Sequence, residues 1–126
     1  MNEKNEWENF IFDFEKLEVY QLSLEFVHKV INTVRKLPSD LRFSIGANFI
    51  RAAISIANNI AEGSGKKSSK EKRRYYSVAL DSARESIPTI TVLHRQEQIT
   101  TENKQILRAD CVKMCNKLGK LIDSVR

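Results

Sequence analysis

The sequence predicts an all-α protein, an antiparallel up-down-up-down four-helix bundle, on three observations. The 126 residues are enough for one domain with its own core, and they include only four glycines and two prolines. An all-β fold needs many turns, which this composition does not supply. Apolar residues recur every three or four positions in four long segments that short polar breaks separate. Long helices with short connections pack as antiparallel neighbours.

The chain is expected to divide into a short N-terminal part and the bundle. We predict that residues 1–13 form a tail or short extra helix with exposed apolar anchors, Trp7, Phe10, Ile11 and Phe12, and that residues 14–126 form the bundle. The first long helix is predicted over 14–37, ended by Pro38. Its predicted core positions are Leu17, Tyr20, Leu24, Val27, Ile31 and Val34, and a second set, Val19, Phe26 and Val30, widens this face.

The second helix is predicted over about 41–63, where Gly63 and Gly65 are expected to end it in the left-handed conformation. Its predicted core line is Ile45, Phe49, Ala52, Ile56 and Ile60. The third helix should begin at Ser68, with Glu71 completing a capping box, and its core line is Tyr76, Ala79, Ala83, Ile87 and Ile90. The fourth helix should begin near Thr100 or Thr101, with a seam of Leu107, Cys111, Met114, Leu118, Leu121 and Val125.

The net charge of +5 is concentrated between the second and third helices. Residues 66–74 carry six positive charges and one negative charge, Glu71, so the rest of the chain sums to zero. Cations are unfavourable at a helix N-terminus, and their crowding there indicates an anionic ligand such as nucleic-acid phosphate. A solvated loop is the alternative. The candidate nucleic-acid-binding residues are Lys66, Lys67, Lys70, Lys72, Arg73 and Arg74.

A second polar pattern follows the second helix on the side opposite its core line. This side is short-chained and nearly uncharged, whereas solvated helix faces usually carry many Lys and Glu residues. It is therefore predicted to pack against another subunit, with a solvated face as the alternative. Arg51 is expected to pair with a carboxylate, Glu62 or Glu85. The candidate interface residues are Arg51, Ser55, Asn58, Asn59, Glu62 and Glu85.

Catalytic and metal-binding patterns are weak in this sequence. Di-iron bundles need two Glu-x-x-His pairs, and only Glu25 and His28 form one, because Thr91 stands three positions before His94. No phosphate-binding loop is present, so we expect no catalytic residue, metal or cofactor. Cys111 and Cys115 are expected to be reduced thiols packed as small apolar groups, which fits a cytoplasmic protein. No signal peptide or membrane span is predicted.

The stretch RAAISIANNIAEGSGKKSSKE, residues 51–71, resembles the signature of the four-helix-bundle family of the 23S rRNA intervening-sequence protein. The matching positions are Arg51, Ala52, Ala53, Ser55, Ile56, Asn59, Ile60, Ala61, Glu62 and Gly63. FEKLEVYQLSLEF, residues 14–26, is similar to the opening helix of that family. The sequence departs from the family at Leu41, Ser44, Asn48, Ile50 and Asp81; a second arginine is usual where Ile50 stands.

The resemblance implies an antiparallel four-helix bundle that assembles into homo-oligomers, with a pentameric ring as one known form. It also implies nucleic-acid binding, because related accessory proteins of diversity-generating retroelements bind nucleic acid and a reverse transcriptase. The predicted function is a non-catalytic oligomeric protein that binds nucleic acid, RNA rather than DNA, through the basic turn. The alternative is a structural adaptor that recruits a protein partner through its oligomeric surface.

Overall fold

The fold of the chain is given by a computed structural model, which describes the main chain of residues 3–125 and the side chains of residues 6–125. Residues 1, 2 and 126 of the predicted tail and bundle lie outside this range. The helices are α1 (Glu3–Glu8), α2 (Glu18–Arg35), α3 (Ser39–Leu41), α4 (Ala47–Gly65), α5 (Ser69–Arg95) and α6 (Thr101–Ser124). A 3-10 turn, Asp13–Lys16, precedes α2, and a π-helical turn, Arg42–Gly46, precedes α4. The described residues include no strand, so the all-α prediction is confirmed.

The four long helices form a bundle in which each packs against two others. Helices α2 and α5 both contact α4 and α6. Two ion pairs fix the direction of α2 against α6: Glu18 meets Lys117 at 3.0 Å, and Lys29 meets Asp110 at 2.8 Å. Because the start of α2 lies beside the end of α6, these two helices run in opposite directions.

The core runs along the bundle axis and is built from all four long helices. The predicted seam of α6 is confirmed for Leu107, Cys111, Met114 and Leu118, which are buried, while Leu121 and Val125 are half-buried. The rings of Phe26 and Phe49 meet edge to face, with centroids 6.1 Å apart. Asp110 is also buried, which the sequence did not indicate, and Lys29 neutralises its charge.

The predicted core face of α2 is confirmed for its second set and only partly correct for its first, of which Leu17, Tyr20 and Val27 are half-buried against the core. Leu24 is 41% exposed, and of the first predicted set only Val34 is buried. The buried residues of α2 are Val19, Ser23, Phe26, Val30, Thr33 and Val34, which include the whole second set. Ser23 donates to the Tyr20 carbonyl (2.6 Å) and Thr33 to the Lys29 carbonyl (2.9 Å), so both hydroxyls are buried at little cost. The helix also begins later than predicted, since Leu17 is extended.

The end of α4 is not a left-handed glycine stop, which corrects the prediction for Gly63 and Gly65. No glycine of the described residues has a positive φ, and α4 continues through Gly65 until Lys66 becomes extended. Gly63 serves close packing instead, because a Cβ there would lie 2.7 Å from Cε1 of Tyr76. Phe49, Ile56 and Ile60 are buried as predicted, whereas Ile45 and Ala52 are half-buried and Ala53 and Ala57 take the core positions.

Helix α5 begins at the predicted cap, Ser68, and α6 begins at the predicted position, where Thr100 is its cap. The Ser68 hydroxyl accepts a hydrogen bond from the Glu71 amide (3.1 Å), and Thr100 accepts one from the Asn103 amide (3.0 Å). The capping box is only half formed, because the Glu71 carboxylate pairs with Arg74. The predicted core line of α5 is buried except for Ile87, which is half-buried. Ser82, Ser86 and Leu93 join this core.

The N-terminal segment stands apart from the core. Trp7, Phe10, Ile11 and Phe12 are exposed, as the sequence predicted. A series of ring contacts leads from Phe10 and Phe12 to α2: the ring centroids of Phe12 and Phe14 are 5.6 Å apart, and those of Phe14 and Tyr20 are 5.0 Å apart. Among residues 3–125, no helix combines the length and the apolar composition that crossing a membrane requires.

Candidate nucleic-acid interface

The connection between α4 and α5 places all six candidate basic residues at one end of the bundle. The chain leaves α4 at Gly65, crosses Lys66, Lys67 and Ser68 in three residues, and enters α5 at Ser69. Lys70, Lys72, Arg73 and Arg74 then lie in the first two turns of α5. The structure therefore brings these residues together but gives them different surroundings.

Two of the six, Lys72 and Arg73, bind the ends of other helices. The Lys72 ammonium donates to the carbonyl oxygen of Ser64 (2.9 Å), and a longer contact reaches that of Gly63 (3.4 Å). The Arg73 guanidinium donates to the carbonyl oxygen of Val125 (2.9 Å). The last carbonyls of a helix lack intrahelical donors and carry partial negative charge, so these cations stabilise the ends of α4 and α6. Lys72 and Arg73 thus have a structural role that the sequence did not reveal.

Lys66 and Arg74 surround the ring of Tyr75. The Lys66 ammonium lies 5.1 Å and the Arg74 guanidinium 4.4 Å from the ring centroid, within the range of cation–π interactions. Each also meets an acid: Lys66 lies 3.7 Å from Glu62, and Arg74 lies 3.2 Å from Glu71. The hydrogen bond and charge of Arg74 hold the pKa of the Glu71 carboxyl below its usual range. Exposed pairs of this kind are weak, so both cations can exchange partners.

Lys67 and Lys70 are exposed, and neither makes a hydrogen bond or ion pair with another side chain in the described part of the molecule. Together with Lys66 and Arg74 they form one accessible cationic region, which we call the basic surface: Lys66, Lys67, Lys70 and Arg74, with Tyr75 between two of them. Glu71 is the acid within this region. The region presents accessible positive charges next to an aromatic ring, an arrangement suited to phosphate groups and bases.

The candidate interface residues lie beside a groove of about 740 Å³ between α4 and α5. Arg51, Ser55 and Glu85 line this groove, together with Ser82, whose hydroxyl lies 3.0 Å from that of Ser55. The other lining residues are Ser44, Ile45, Asn48, Ala52 and Thr89.

Four of the six candidate interface residues already have partners within one chain: Arg51, Ser55, Asn59 and Glu62. Arg51 donates to the side-chain oxygen of Asn48, and in the described part of a single chain it has no ion pair with either carboxylate expected from the sequence. Asn59 donates to the Ser55 carbonyl (2.8 Å). Asn58 is exposed, and Glu62 faces Lys66 of the basic surface. Asn58, Asn59 and Glu62 lie further along α4 than the residues that line the groove, towards the basic surface.

The two cysteines are free thiols, as the sequence predicted. Cys111 is buried in the core, and burial raises the pKa of its thiol to about 12. Burial also raises the pKa of the half-buried Cys115 thiol. Both are protonated at neutral pH, whereas a reactive cysteine is a thiolate. Among the described residues, no group of three or more His, Cys, Asp or Glu side chains is placed to hold a metal ion.

The bundle is similar to known proteins over most of its length. The family model described as 23S rRNA-intervening sequence protein matches residues 15–120, from the 3-10 turn to the last turns of α6. A crystal structure of a protein of unknown function from the S23 ribosomal protein family of Bacteroides thetaiotaomicron shares 26% identity and a TM-score of 0.78. The match covers 84% of this chain and 96% of that one. No curated protein matches the chain.

Proposed function

Because the chain belongs to the 23S rRNA-intervening sequence protein family, we propose that it is a non-catalytic, oligomeric protein that binds the backbone of nucleic acid, RNA in preference to DNA. The binding residues are those of the basic surface. The names of this family and of the S23 family both refer to ribosomal RNA or the ribosome, which favours RNA.

One observation carries the proposal: four accessible cations, Lys66, Lys67, Lys70 and Arg74, lie at one end of the bundle around a single turn. Contacts to phosphate are made by such cations and need no fixed sequence, so we expect affinity that falls steeply with salt. Tyr75 offers a ring on which an unpaired base can stack if Lys66 or Arg74 moves to a phosphate. Lys72 and Arg73, which the sequence included in this site, belong to the framework that holds it.

The two cysteines are poor candidates for a catalytic nucleophile, in keeping with the proposed non-catalytic role. A cysteine nucleophile needs a lowered pKa or a nearby base, and the pKa values of Cys111 and Cys115 are both raised. Free thiols also support our proposal that the protein works in the cytoplasm.

Assembly would multiply weak phosphate contacts, because each subunit of a ring presents one basic surface. We propose that copies associate through the groove residues Arg51, Ser55 and Glu85 and the neighbouring Asn58, Asn59 and Glu62. Asn58 is exposed and its helix face carries few charges, so a large cation there would disrupt a close contact.

The interface is tested by the mass of Asn58→Arg in light scattering. We expect the wild type to exceed the 14.5 kDa of one chain and Asn58→Arg to fall towards that mass. Gln105→Arg, on the exposed side of α6, adds the same charge and should leave the mass unchanged. A wild type of 14.5 kDa, or an Asn58→Arg variant that assembles fully, would contradict the proposed interface.

Nucleic-acid binding is tested by fluorescence anisotropy with labelled structured RNA and duplex DNA at low salt. Changing Lys66, Lys67, Lys70 and Arg74 to Gln should weaken RNA binding by roughly tenfold or more, because four phosphate partners are lost. The matched control changes Arg35, Lys36, Arg95 and Lys104, four bases near the opposite end of the bundle, to Gln.

The control is expected to bind nearly as well as the wild type, although both variants have the same net charge. If RNA binding weakened equally in both variants, the loss would come from net charge alone. That result would contradict a localised site. A wild type that binds neither nucleic acid at low salt would contradict the proposal and favour the adaptor that recruits a protein partner.

A further inference from the structure

The segment Trp7–Phe12 exposes four large apolar side chains without packing them on the core. Trp7 is 71% exposed, and Phe10, Ile11 and Phe12 are each more than half exposed. The residues around them are acidic, with five acids and one lysine in residues 3–15. The segment lies before the part of the chain that the family model matches, which begins at residue 15. An acidic aromatic segment of this kind has the composition of a docking peptide.

A groove on the outer side of α5 and α6 has complementary properties. It encloses about 480 Å³ and is lined by Leu80, Ile87, Val112 and Cys115, with the buried Cys111 also contributing. Val112 is 55% exposed, so this apolar lining is accessible from solvent. The charged group of the lining is Arg84, and Asn116 is the remaining polar residue. Arg108, one helical turn before Val112, is a further exposed base on α6.

The segment and the groove lie on different sides of one subunit. The 3-10 turn Asp13–Lys16 joins the segment to α2 and packs against α4. The groove, in contrast, lies between α5 and α6. Within one chain the segment is therefore held on the α4 side of α2, away from the groove, and the suitable occupant is the segment of another copy.

We propose that the α5–α6 groove binds the acidic aromatic segment Trp7–Phe12 of a second copy of this chain. The apolar side chains cover Leu80, Ile87 and Val112, and the flanking acids face Arg84 and Arg108. This contact lies outside the α4–α5 groove and the basic surface, so it is independent of the proposed nucleic-acid binding. Burial of aromatic side chains against an apolar floor supplies the affinity, and the opposite charges fix the orientation.

Trp7 is the only tryptophan, so its emission reports directly on this segment. We expect the emission of the full-length protein to shift to shorter wavelength as the concentration rises, because the indole leaves water. Val112→Asp and, separately, Arg84→Glu should keep it at the wavelength of exposed indole. Val78→Asp is the matched control, since Val78 is an exposed valine of α5 that does not line the groove.

A mixed assembly distinguishes docking between copies from docking within one chain. Val112→Asp protein that retains Trp7 is co-expressed and co-purified with Trp7→Leu protein that has an intact groove. Docking between copies predicts the blue-shifted emission in this mixture and not in Val112→Asp alone.

If the wild type shows the emission of exposed indole at every concentration, the proposal is overturned. A different protein would then be the favoured occupant of the groove. A blue shift that Val112→Asp and Arg84→Glu do not affect would mean that the segment binds outside the α5–α6 groove. That result would overturn the proposal as well. Either result is separable from the nucleic-acid proposal, because RNA binding is measured independently in the same variants.

Discussion

Replacing Phe26 with alanine is expected to lower the free energy of unfolding by about 3–5 kcal/mol. Phe26 is fully buried and packs edge to face against Phe49 in the centre of the bundle. Its removal takes away apolar burial and leaves a cavity that neighbouring side chains fill only in part. Leu24→Ala, two positions earlier, should cost less than about 1 kcal/mol, because Leu24 is 41% exposed.

Urea unfolding followed by circular dichroism measures both variants. The comparison tests which face of α2 enters the core, since Leu24 belongs to the face that simple periodicity favours. A larger loss for Leu24→Ala than for Phe26→Ala would mean that α2 is rotated relative to the structure.

Replacing Gly63 with valine should cost about 3 kcal/mol, because even a Cβ at this position would lie 2.7 Å from the Tyr76 ring. Tyr76 is buried and cannot move aside without opening the contact between α4 and α5. Gly119→Val is the control, because a Cβ at Gly119 meets no atom within 4 Å. It should change stability by no more than about 0.5 kcal/mol, since valine and glycine differ little in helix propensity.

Thermal and urea unfolding of the two valine variants give the test. Similar stability of Gly63→Val and Gly119→Val would show that Gly63 is not required for close packing. The result bears on the basic surface as well, because Gly63 and Tyr76 set the distance between the two helices that carry it.

The parts of the fold that the sequence predicts well are those governed by local chemistry. The sequence predicts Ser68 as a helix cap because hydroxyl groups accept the free amides of a first turn, and the structure confirms it. The seam of α6 was recognised because its buried positions from Leu107 to Leu118 are almost all apolar. In α2, Ser23 and Thr33 interrupt the true core face, so the more regular and partly exposed stripe through Leu24 looked like the better candidate. Their burial depends on hydrogen bonds to the helix backbone that residue type alone does not reveal.

The sequence predicts which basic residues cluster at the candidate site. It does not predict which of them are accessible and which bind the ends of other helices. Six clustered bases indicate an anionic ligand. The separation of Lys72 and Arg73 from the rest depends on where the ends of α4 and α6 lie in space. Val125 is 52 residues from Arg73 in sequence, so this contact could not be inferred from local spacing. The placement of Lys66 and Arg74 around Tyr75 similarly required the geometry of the turn.

The salt dependence of RNA binding tests the central claim most directly, namely that Lys67 and Lys70 contact phosphate. Anisotropy titrations measure the association constant K for RNA at several salt concentrations, and the slope of log K against log salt concentration is compared. The proteins are Lys67→Gln/Lys70→Gln, the wild type and the control Lys36→Gln/Arg95→Gln. We predict that the slope of the first variant is smaller in magnitude than that of the wild type by about 1.5, the change for two phosphate contacts, while the control keeps the wild-type slope. A wild-type slope in Lys67→Gln/Lys70→Gln would contradict the account, because these lysines would then release no counterions on binding.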